Sequence, residues 1–416
     1  MRSYSGAAWE RAMKREEILL RAYAKQISWI EAAQILGMSC RHLLRVREAF
    51  ERAGFDGLHD KRIGKESPRR ISVEIVEEVL SLYREKYFDF NVTHFHEKLT
   101  DEHGIRLSYT WVKVLLQGAG LVARDKTRRK HRKRRERKPL RGMMLHIDGS
   151  HHQWFDDDRW HDLIVILDDA TSEIYYARLV DQESTATIMA GIRQVVEKQG
   201  VFCSLYSDRA SHFFRTPKAG EPVDRQSLSQ VGRALRELSI KLIPAYSPQA
   251  RGRSERSFRT WQGRLPQELR IREITDLEEA NRFLKRSYIR EFNRKFAVQA
   301  ADPETSAFVP CTRPDELDRI FSIQTERVVN RDNTVKYNNL TLQIDRQSWR
   351  RSMDGCRVTV YQHLNETITI GFGPQEIGKY TSDGRTLKRS VTKPRDLKRK
   401  RLAAPASNRQ TGHLMC

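Results

Sequence analysis

The pattern of apolar and polar positions predicts a helical first part, a mixed central part and a β-rich last part. Between residues 28 and 54, apolar side chains recur at helical spacing on both sides of Gly37, which predicts a helix, a turn and a second helix. Ser28 and Glu31 can form a capping box for the first helix, and Ser39 can cap the second. The apolar residues expected to pack inward are Ile30, Ala33, Leu43, Leu44 and Phe50.

A second helical pattern occupies residues 71–123, where Ser108 can cap a helix that carries Trp111, Val112, Val114 and Leu115. Paired helices of this kind bind DNA by placing the second helix in the major groove. A helical hairpin with a solvated charged face is the alternative interpretation. In the first unit, the side chains left for DNA on the second helix are Arg41, His42, Arg45 and Arg47.

Residues 142–300 alternate between strand and helix patterns. Three strand patterns joined by short turns come first, and helix, strand, helix, strand and helix follow. This order predicts a mixed five-stranded sheet with helices on its faces. We expect Trp154 and Trp160 to serve the core of this sheet.

The pattern changes again after Asp302, where short strands separated by Asn-Asn, Asp-Gly and Gly-Pro turns predict a small β-barrel. The fold class is therefore multidomain α+β, with all-α units, an α/β core and a β-barrel. The predicted segments are a helix-turn-helix domain (1–62), a second such unit (71–123), a basic linker (124–141), the core (142–300), the barrel (315–385) and a basic, disordered tail (386–416).

The large net positive charge of the chain makes a polyanion the first binding partner to consider. The 416 residues include 76 Lys and Arg against 54 Asp and Glu, a formal net charge of +22. The linker is the densest basic run, and we interpret it as a segment that tracks DNA, with a solvated spacer as the alternative. Its predicted contacts are Arg128, Arg129, Lys130, Arg132, Lys133, Arg134 and Arg135.

Other classes are disfavoured. No apolar run approaches the roughly 18 residues of a membrane span, and residues 1–17 lack the apolar centre of a signal peptide. The 5 cysteines are odd in number and have no C-x-x-C spacing, which argues against a disulfide framework or a thiolate zinc site. We expect a cytoplasmic protein with no membrane partner.

Three carboxylates carry the predicted chemistry. Asp148 lies within an apolar strand, Asp208 ends the fourth strand, and Glu255 lies in the first turn of the last helix of the core. A lone buried carboxylate is costly unless it is paired or binds a cation. Three converging carboxylates can hold two Mg²⁺ or Mn²⁺ ions for phosphoryl transfer. Asp168 and Asp169 are rival ligands, although a turn between strands explains them more simply.

The motifs HIDGS, YSDRASHF and AYSPQARGRSER, which contain Asp148, Asp208 and Glu255, resemble those of the D,D,E catalytic cores of retroviral integrases and insertion-sequence transposases. The resemblance implies a ribonuclease H-like core in which these acids are the catalytic residues and the metal ligands. Arg209 and Ala210 stand where the family often has Asn-Gly or Gly. The spacing of 47 residues (255 minus 208) is long, which we attribute to an insertion at residues 215–225.

The resemblance further implies a DNA transposase, nucleoid-associated in a bacterium, that binds terminal inverted repeats, cleaves 3′ ends and joins them to target DNA. Bringing two ends together implies a homo-oligomer in a synaptic complex. The alternatives are a DNA-binding regulator with an inactive core and a plain nuclease. Around the third acid, the arginines expected to contact phosphates, unless they form a solvated helix edge, are Arg251, Arg253, Arg256 and Arg259.

Overall fold

The computed structural model describes residues 6–59, 70–124, 136–215, 224, 227–246 and 252–387. The chain divides into two compact units, Met1–Glu85 and Lys86–Cys416. The helices of the first unit are α1 (Gly6–Tyr23), α2 (Trp29–Ile35), α3 (Cys40–Ala53) and α4 (Val73–Glu85). Helix α4, which lies within the residues 71–123 predicted as a second helical unit, falls in the first compact unit.

The caps predicted for α2 and α3 are present. Ser28 Oγ accepts from Glu31 N at 3.2 Å, and Glu31 Oε2 accepts from Ser28 N at 2.7 Å, which completes the capping box. Ser39 Oγ accepts from His42 N at 3.3 Å, and Gly37 adopts a φ of 63° in the turn. Because these signals are local, the sequence alone was enough to define both helix starts.

Of the side chains predicted to pack inward in this helix pair, those of Ala33 and Leu43 are buried. The prediction was wrong for Ile30 and Leu44, which are 63% and 50% exposed. Helix α3 packs Leu43 inward with the half-buried Val46 and Phe50. Leu44 points about 100° away from Leu43 around the helix, so it cannot share that face. Ile30 likewise points away from the side of α2 on which Ala32 and Ala33 are buried.

The second unit begins with α5 (Val92–Asp101) and α6 (Tyr109–Gly118). Asn91 caps α5 and, as predicted, Ser108 caps α6 by accepting from Trp111 N at 3.2 Å. Of the apolar residues predicted on α6, Val112 is buried and Val114 is exposed.

The centre of the second unit is the predicted mixed five-stranded sheet. Its strands are β1 (Leu145–His152), β2 (His161–Asp168), β3 (Ile174–Val180), β4 (Ser204–Ser207) and β5 (Lys241–Pro244). The order is β3-β2-β1-β4-β5, with β1 to β3 antiparallel and β4 parallel to both β1 and β5. The presence of both antiparallel and parallel pairs confirms the predicted mixed five-stranded sheet.

Helices cover both faces of the sheet. On one face, Leu145 and Ile147 of β1 pack with the apolar sides of α7 (Thr185–Gln199) and α8 (Gln230–Glu237). The other face packs against α9 (Gly252–Gln262), α10 (Leu265–Ile271), α11 (Leu277–Phe283) and α12 (Ile289–Phe296). No element was predicted for residues 266–300, because these helical pieces are short and interrupted.

Helices α11 and α12 are joined without a break by a π-helical turn at Leu284–Tyr288. Asn281 and Asn293 lie on either side of this turn, and each clamps a residue of the edge strand β3. Leu179 N donates to Asn281 Oδ1 and Asn281 Nδ2 donates to Leu179 O, both at 2.8 Å. Ile174 N and O are bound by Asn293 in the same way, at 2.8 and 2.9 Å.

The π-turn explains how two asparagines twelve residues apart (293 minus 281) reach the same strand. In a regular α-helix at about 100° per residue, twelve residues end about 120° away from their starting direction. A π-turn absorbs one additional residue, so the pair behaves as if eleven residues apart, within about 20° of one direction. Both side chains therefore face β3.

The last part contains α13 (Leu317–Ile320) and six strands. These are β6 (Ile323–Val328), β7 (Thr334–Tyr337), β8 (Leu340–Gln343), β9 (Arg357–Gln362), β10 (Ile368–Phe372) and β11 (Gln375–Tyr380). They form a four-stranded sheet, β11-β10-β9-β6, and a two-stranded sheet, β7-β8, around one apolar cluster. No pairing between described strands closes them into a barrel, so the predicted barrel is unconfirmed.

Two residues of the insertion proposed between Asp208 and Glu255, Arg215 and Asp224, lie next to each other in the structure. Asp224 N donates to Arg215 O at 2.9 Å, and the two residues form an isolated antiparallel bridge. Residues 216–223 lie outside the described residues. Within the described ranges, no helix has both the length and the apolar character needed to cross a bilayer.

Candidate active site

Asp148 lies on the face of the sheet that α9 covers. It is only 8% exposed, and it is paired across the strands with Val165 of β2. Directly paired residues on neighbouring antiparallel strands point to the same side of a sheet. Val165 belongs to the apolar cluster that contains Phe258 and Trp261 of α9, so the Asp148 side chain projects towards that helix.

Asp208 directly follows the last residue of β4. Strands β1 and β4 are parallel, with His146 opposite Tyr206 and their rings 5.1 Å apart. The paired register stops there and β4 ends at Ser207, so Asp208 begins the loop that follows the strand next to the one that carries Asp148. Its Oδ1 accepts from Ala210 N at 3.0 Å within this loop.

Helix α9 is held against β1 at both ends. Near its start, Arg253 donates to Asp169 Oδ1, and the same oxygen is hydrogen-bonded to His146 Nε2 at 2.7 Å. At its end, Gln262 Nε2 donates to Ser150 Oγ at 3.0 Å. The helix therefore runs in the same direction as β1, from the level of His146 to the level of Ser150.

This alignment sets the level of Glu255 along β1. The nine residues from Arg253 to Gln262 span about 14 Å of helix, and the four from His146 to Ser150 span about 13 Å of strand. Glu255, two residues after Arg253, is therefore level with the part of β1 next to Asp148. Its side chain is exposed, in contrast to that of Asp148.

The carboxylates of Asp148, Asp208 and Glu255 do not form a metal-binding cluster in this structure. Among the described residues, no three or more His, Cys, Asp or Glu side chains lie close enough to hold an ion together. The donor set nevertheless fits magnesium or manganese by its chemistry, because all three side chains offer hard carboxylate oxygens.

Asp169 was not singled out as a positioning residue from the sequence. Burial would raise the pKa of its carboxyl group, but hydrogen bonds from His146, Lys138 N and Arg253 hold the pKa well below its usual range. The buried anion thus ties together β1, the end of β2 and α9. The only sequence signal was the pair of aspartates at a strand end, which was interpreted as a turn.

Asp168 stabilises the predicted turn between β2 and β3 by accepting hydrogen bonds. Its Oδ1 accepts from Gly142 N at 2.9 Å, and its Oδ2 accepts from Thr171 N and Oγ1 at 2.9 and 3.1 Å. All of its hydrogen-bond donors belong to the chain segments beside that turn. Asp168 therefore has a structural role in the turn between β2 and β3.

The two tryptophans predicted to serve the core differ. Trp154 is fully buried and donates from Nε1 to His161 O at 3.0 Å, as expected for a core residue. Trp160 is 51% exposed, so that prediction was wrong. Its ring stacks on His151, with centroids 5.0 Å apart, because it precedes β2 and lies outside the paired, covered part of the strand.

Gly149, next to Asp148, lies close to the carboxylate end of the Glu183 side chain. A Cβ atom at this position would lie 2.0 Å from Glu183 Oε2, far inside the contact distance. Glu183 is itself held by its backbone, since Glu183 N donates to Asp162 Oδ2 at 2.6 Å. The glycine of the HIDGS motif thus leaves space for the Glu183 carboxylate beside β1.

The predicted DNA contacts on α3 fall into two groups. Arg41, His42 and Arg45 are exposed. Arg47 instead donates from Nε to Glu51 Oε1 at 2.8 Å and lies over the Trp29 ring, 4.9 Å from its centroid. Arg47 is therefore engaged within its own unit, unlike the first three.

The other predicted phosphate contacts are only partly described. Arg256 and Arg259 are exposed on α9, while Arg253 is bound to Asp169 and largely buried. The positions that lie outside the described residues are Arg128, Arg129, Lys130, Arg132, Lys133, Arg134, Arg135 and Arg251.

Comparison with solved structures gives weak likenesses. The simian T-cell lymphotropic virus intasome in complex with PP2A regulatory subunit B56 gamma matches with a TM-score of 0.31 and 12% identity, over 62% of this chain and 85% of that chain. The HTLV-2 integrase catalytic core domain in complex with magnesium (dimeric form) matches with a TM-score of 0.27 and 16% identity, over 36% and 90%. Scores this low carry no argument about the fold or the function.

Sequence comparison is decisive. Residues 14–66 match the family model of a helix-turn-helix domain. The transposase for insertion sequence IS1202 of Streptococcus pneumoniae is 29% identical over 339 residues, which cover 73% of this chain and 72% of that protein. The protein named "Putative transposase y4bF" of Sinorhizobium fredii (strain NBRC 101917 / NGR234) is 30% identical over 362 residues, 87% of this chain and 79% of that one. With this extent of shared sequence and its helix-turn-helix domain, the chain belongs to the insertion-sequence transposases, the family that its own motifs predicted.

Proposed function

We propose that this transposase binds the terminal inverted repeats of its element, cleaves their 3′ ends and joins them to target DNA, using Asp148, Asp208 and Glu255 as its catalytic residues. The observation that carries the proposal is the alignment of α9 with β1. Through Arg253 and Gln262, α9 is bound beside the strand that carries Asp148, which supports a role for Glu255 next to that strand.

The three carboxylates would hold two Mg²⁺ or Mn²⁺ ions, which supply Lewis-acid stabilisation of charge on the phosphoryl oxygens. The protein contributes the positions of the ligands. Asp148 is fixed by the paired strand β1, and Glu255 is fixed by a helix tethered at both ends. The proposal requires the side chains to close around the ions, because they do not form a cluster as they stand.

Recognition of the repeats is assigned to α3. Exposed Arg41, His42 and Arg45 offer donors to base edges and phosphates in the major groove. Two element ends must be held together for joining, so we propose a homo-oligomer in the synaptic complex.

The test is a strand-transfer assay with Mg²⁺, labelled terminal-repeat DNA and a plasmid target. Asp148→Asn, Asp208→Asn and Glu255→Gln should each abolish cleavage and joining while repeat binding persists. Asp156→Asn is the matched control, because Asp156 is an exposed acid in the turn that follows β1.

Other outcomes identify the alternatives. Repeat binding by the wild-type protein with no cleavage in Mg²⁺ or Mn²⁺ would indicate a DNA-binding regulator with an inactive core. Cleavage without joining would indicate a nuclease. Full activity in Asp148→Asn would overturn the assignment of the site.

A further inference from the structure

A cavity of about 580 Å³ lies along the free edge of the central sheet, away from the proposed catalytic carboxylates. Its floor is β3, the strand at one end of the order β3-β2-β1-β4-β5. Its walls are the end of α7 on one side and the long helix formed by α11, the π-turn and α12 on the other. None of these residues belongs to the site described above.

The lining of this edge cavity is strongly basic. It has five cationic side chains, all exposed, against two carboxylates. Both carboxylates are already paired, Glu278 with Arg282 at 3.4 Å and Glu173 with Arg141 at 2.9 Å. The cations that remain for a ligand are Arg178, Lys198, Lys285 and Arg290.

The clamps on β3 limit what kind of ligand fits. Asn281 and Asn293 already occupy the backbone groups of Leu179 and Ile174. A strand from another protein therefore cannot extend the sheet along this edge without breaking them. What the edge cavity still offers is positive charge and hydrogen-bond donors.

We propose that the edge cavity is a second DNA-binding site of this transposase, which takes the phosphate groups of the duplex backbone through Lys198, Lys285 and Arg290. Phosphate oxygens match a cavity that presents several exposed cations. Binding there is independent of base sequence, because only the backbone is contacted. The inference rests on the proposed function of the chain in DNA transposition.

The experiment measures the affinity of the full-length protein for a short duplex of arbitrary sequence as a function of salt concentration. The cavity variant, Lys285→Ala with Arg290→Ala, should weaken binding. A plot of the logarithm of the association constant against the logarithm of the salt concentration has a negative slope. In the variant this slope should become less steep by about 0.9 for each phosphate group that is no longer neutralised. The matched control is Arg286→Ala with Arg294→Ala, which removes the same charge from exposed positions outside the cavity lining.

A cavity variant with the same salt slope as the control pair would overturn the proposal. A change in oligomeric state by light scattering, at an unchanged slope, would also overturn it, because the cavity would then be an interface between copies. Arg41→Ala with Arg45→Ala serves as the reference for α3. If only this variant changes DNA binding, the edge cavity is refuted and the proposed function stands. If the wild-type protein binds no DNA, the proposed function fails as well.

Discussion

Arg253 and Asp169 lie 84 residues apart in the sequence and are joined by a hydrogen bond between the start of α9 and the end of β2. Asp169 also binds His146 of β1 through the same oxygen. The contact fixes the first turn of α9, which carries Glu255, against the strand that carries Asp148. Arg253 is therefore a positioning residue in the proposed mechanism, although its sequence context suggested a phosphate contact.

Replacing Arg253 by alanine should lower the kcat of strand transfer by about tenfold to a hundredfold, because a small displacement of a catalytic group has an effect of that size. Repeat binding should change little. The assay compares kcat and repeat affinity for Arg253→Ala, Arg253→Lys and the exposed control Arg236→Ala, and the lysine variant should recover part of the rate. A lower affinity at unchanged kcat would show that Arg253 contacts DNA instead.

Gly149→Ala should destabilise the protein by about 1 kcal/mol or less, since the new methyl group overlaps only the end of the flexible Glu183 side chain, which can shift. Urea unfolding should show that adding Glu183→Ala recovers most of this stability, as a double-mutant cycle between contacting residues requires. Gly118→Ala is the control, because nothing lies within 4 Å of a Cβ atom there. An undiminished destabilisation in the double variant would contradict the steric explanation.

The asparagine clamps on β3 give a third prediction. Asn281→Ala leaves the peptide groups of Leu179 without these partners and should cost about 1–3 kcal/mol. Deleting Arg286 removes the additional residue of the π-turn, so Asn281 and Asn293 would be eleven residues apart in a regular α-helix and would still face β3. Urea unfolding should therefore show a smaller destabilisation for this deletion than for Asn293→Ala, and Arg286→Ala, which keeps the residue count, should be nearly neutral.

The contact between α5 and the core should weaken in acid. Burial would raise the pKa of Glu97, but hydrogen bonds from Arg264 and Lys295 lower it from 4.5 to about 2. A depressed pKa contributes stability that is complete above the unfolded value and is lost as the pH falls from about 4.5 towards 2. The contribution is at most about 3 kcal/mol at neutral pH.

Hydrogen exchange of the α5 amides between pH 6 and pH 3 checks this prediction. After correction for the intrinsic exchange rate, protection should fall with acid in the wild-type protein and depend less on pH in Glu97→Gln. Glu304→Gln, which replaces an exposed acid, should follow the wild-type protein. Equal pH dependence in the wild-type protein and Glu97→Gln would show that the Arg264–Glu97 pair does not stabilise α5.

The sequence by itself determined the features that depend on neighbours along the chain. The caps of α2, α3 and α6 and the turn at Gly37 follow from side-chain to backbone bonds within three residues. The strands of the central sheet follow from their apolar content and the turns between them. The acidic motifs were recognised in the sequence from the positions of their carboxylates relative to the predicted elements. The family was predicted from those motifs.

Only the tertiary structure decided which of several chemically similar residues take part in long-range contacts. Nothing local distinguishes Arg253, bound to Asp169, from Arg256, which is exposed, or buried Trp154 from exposed Trp160. The level of Glu255 along β1 depends on bonds that join residues more than eighty positions apart. The physical reason is that burial and ion pairing are set by packing between elements, and a helical or strand period defines a face without defining what covers it.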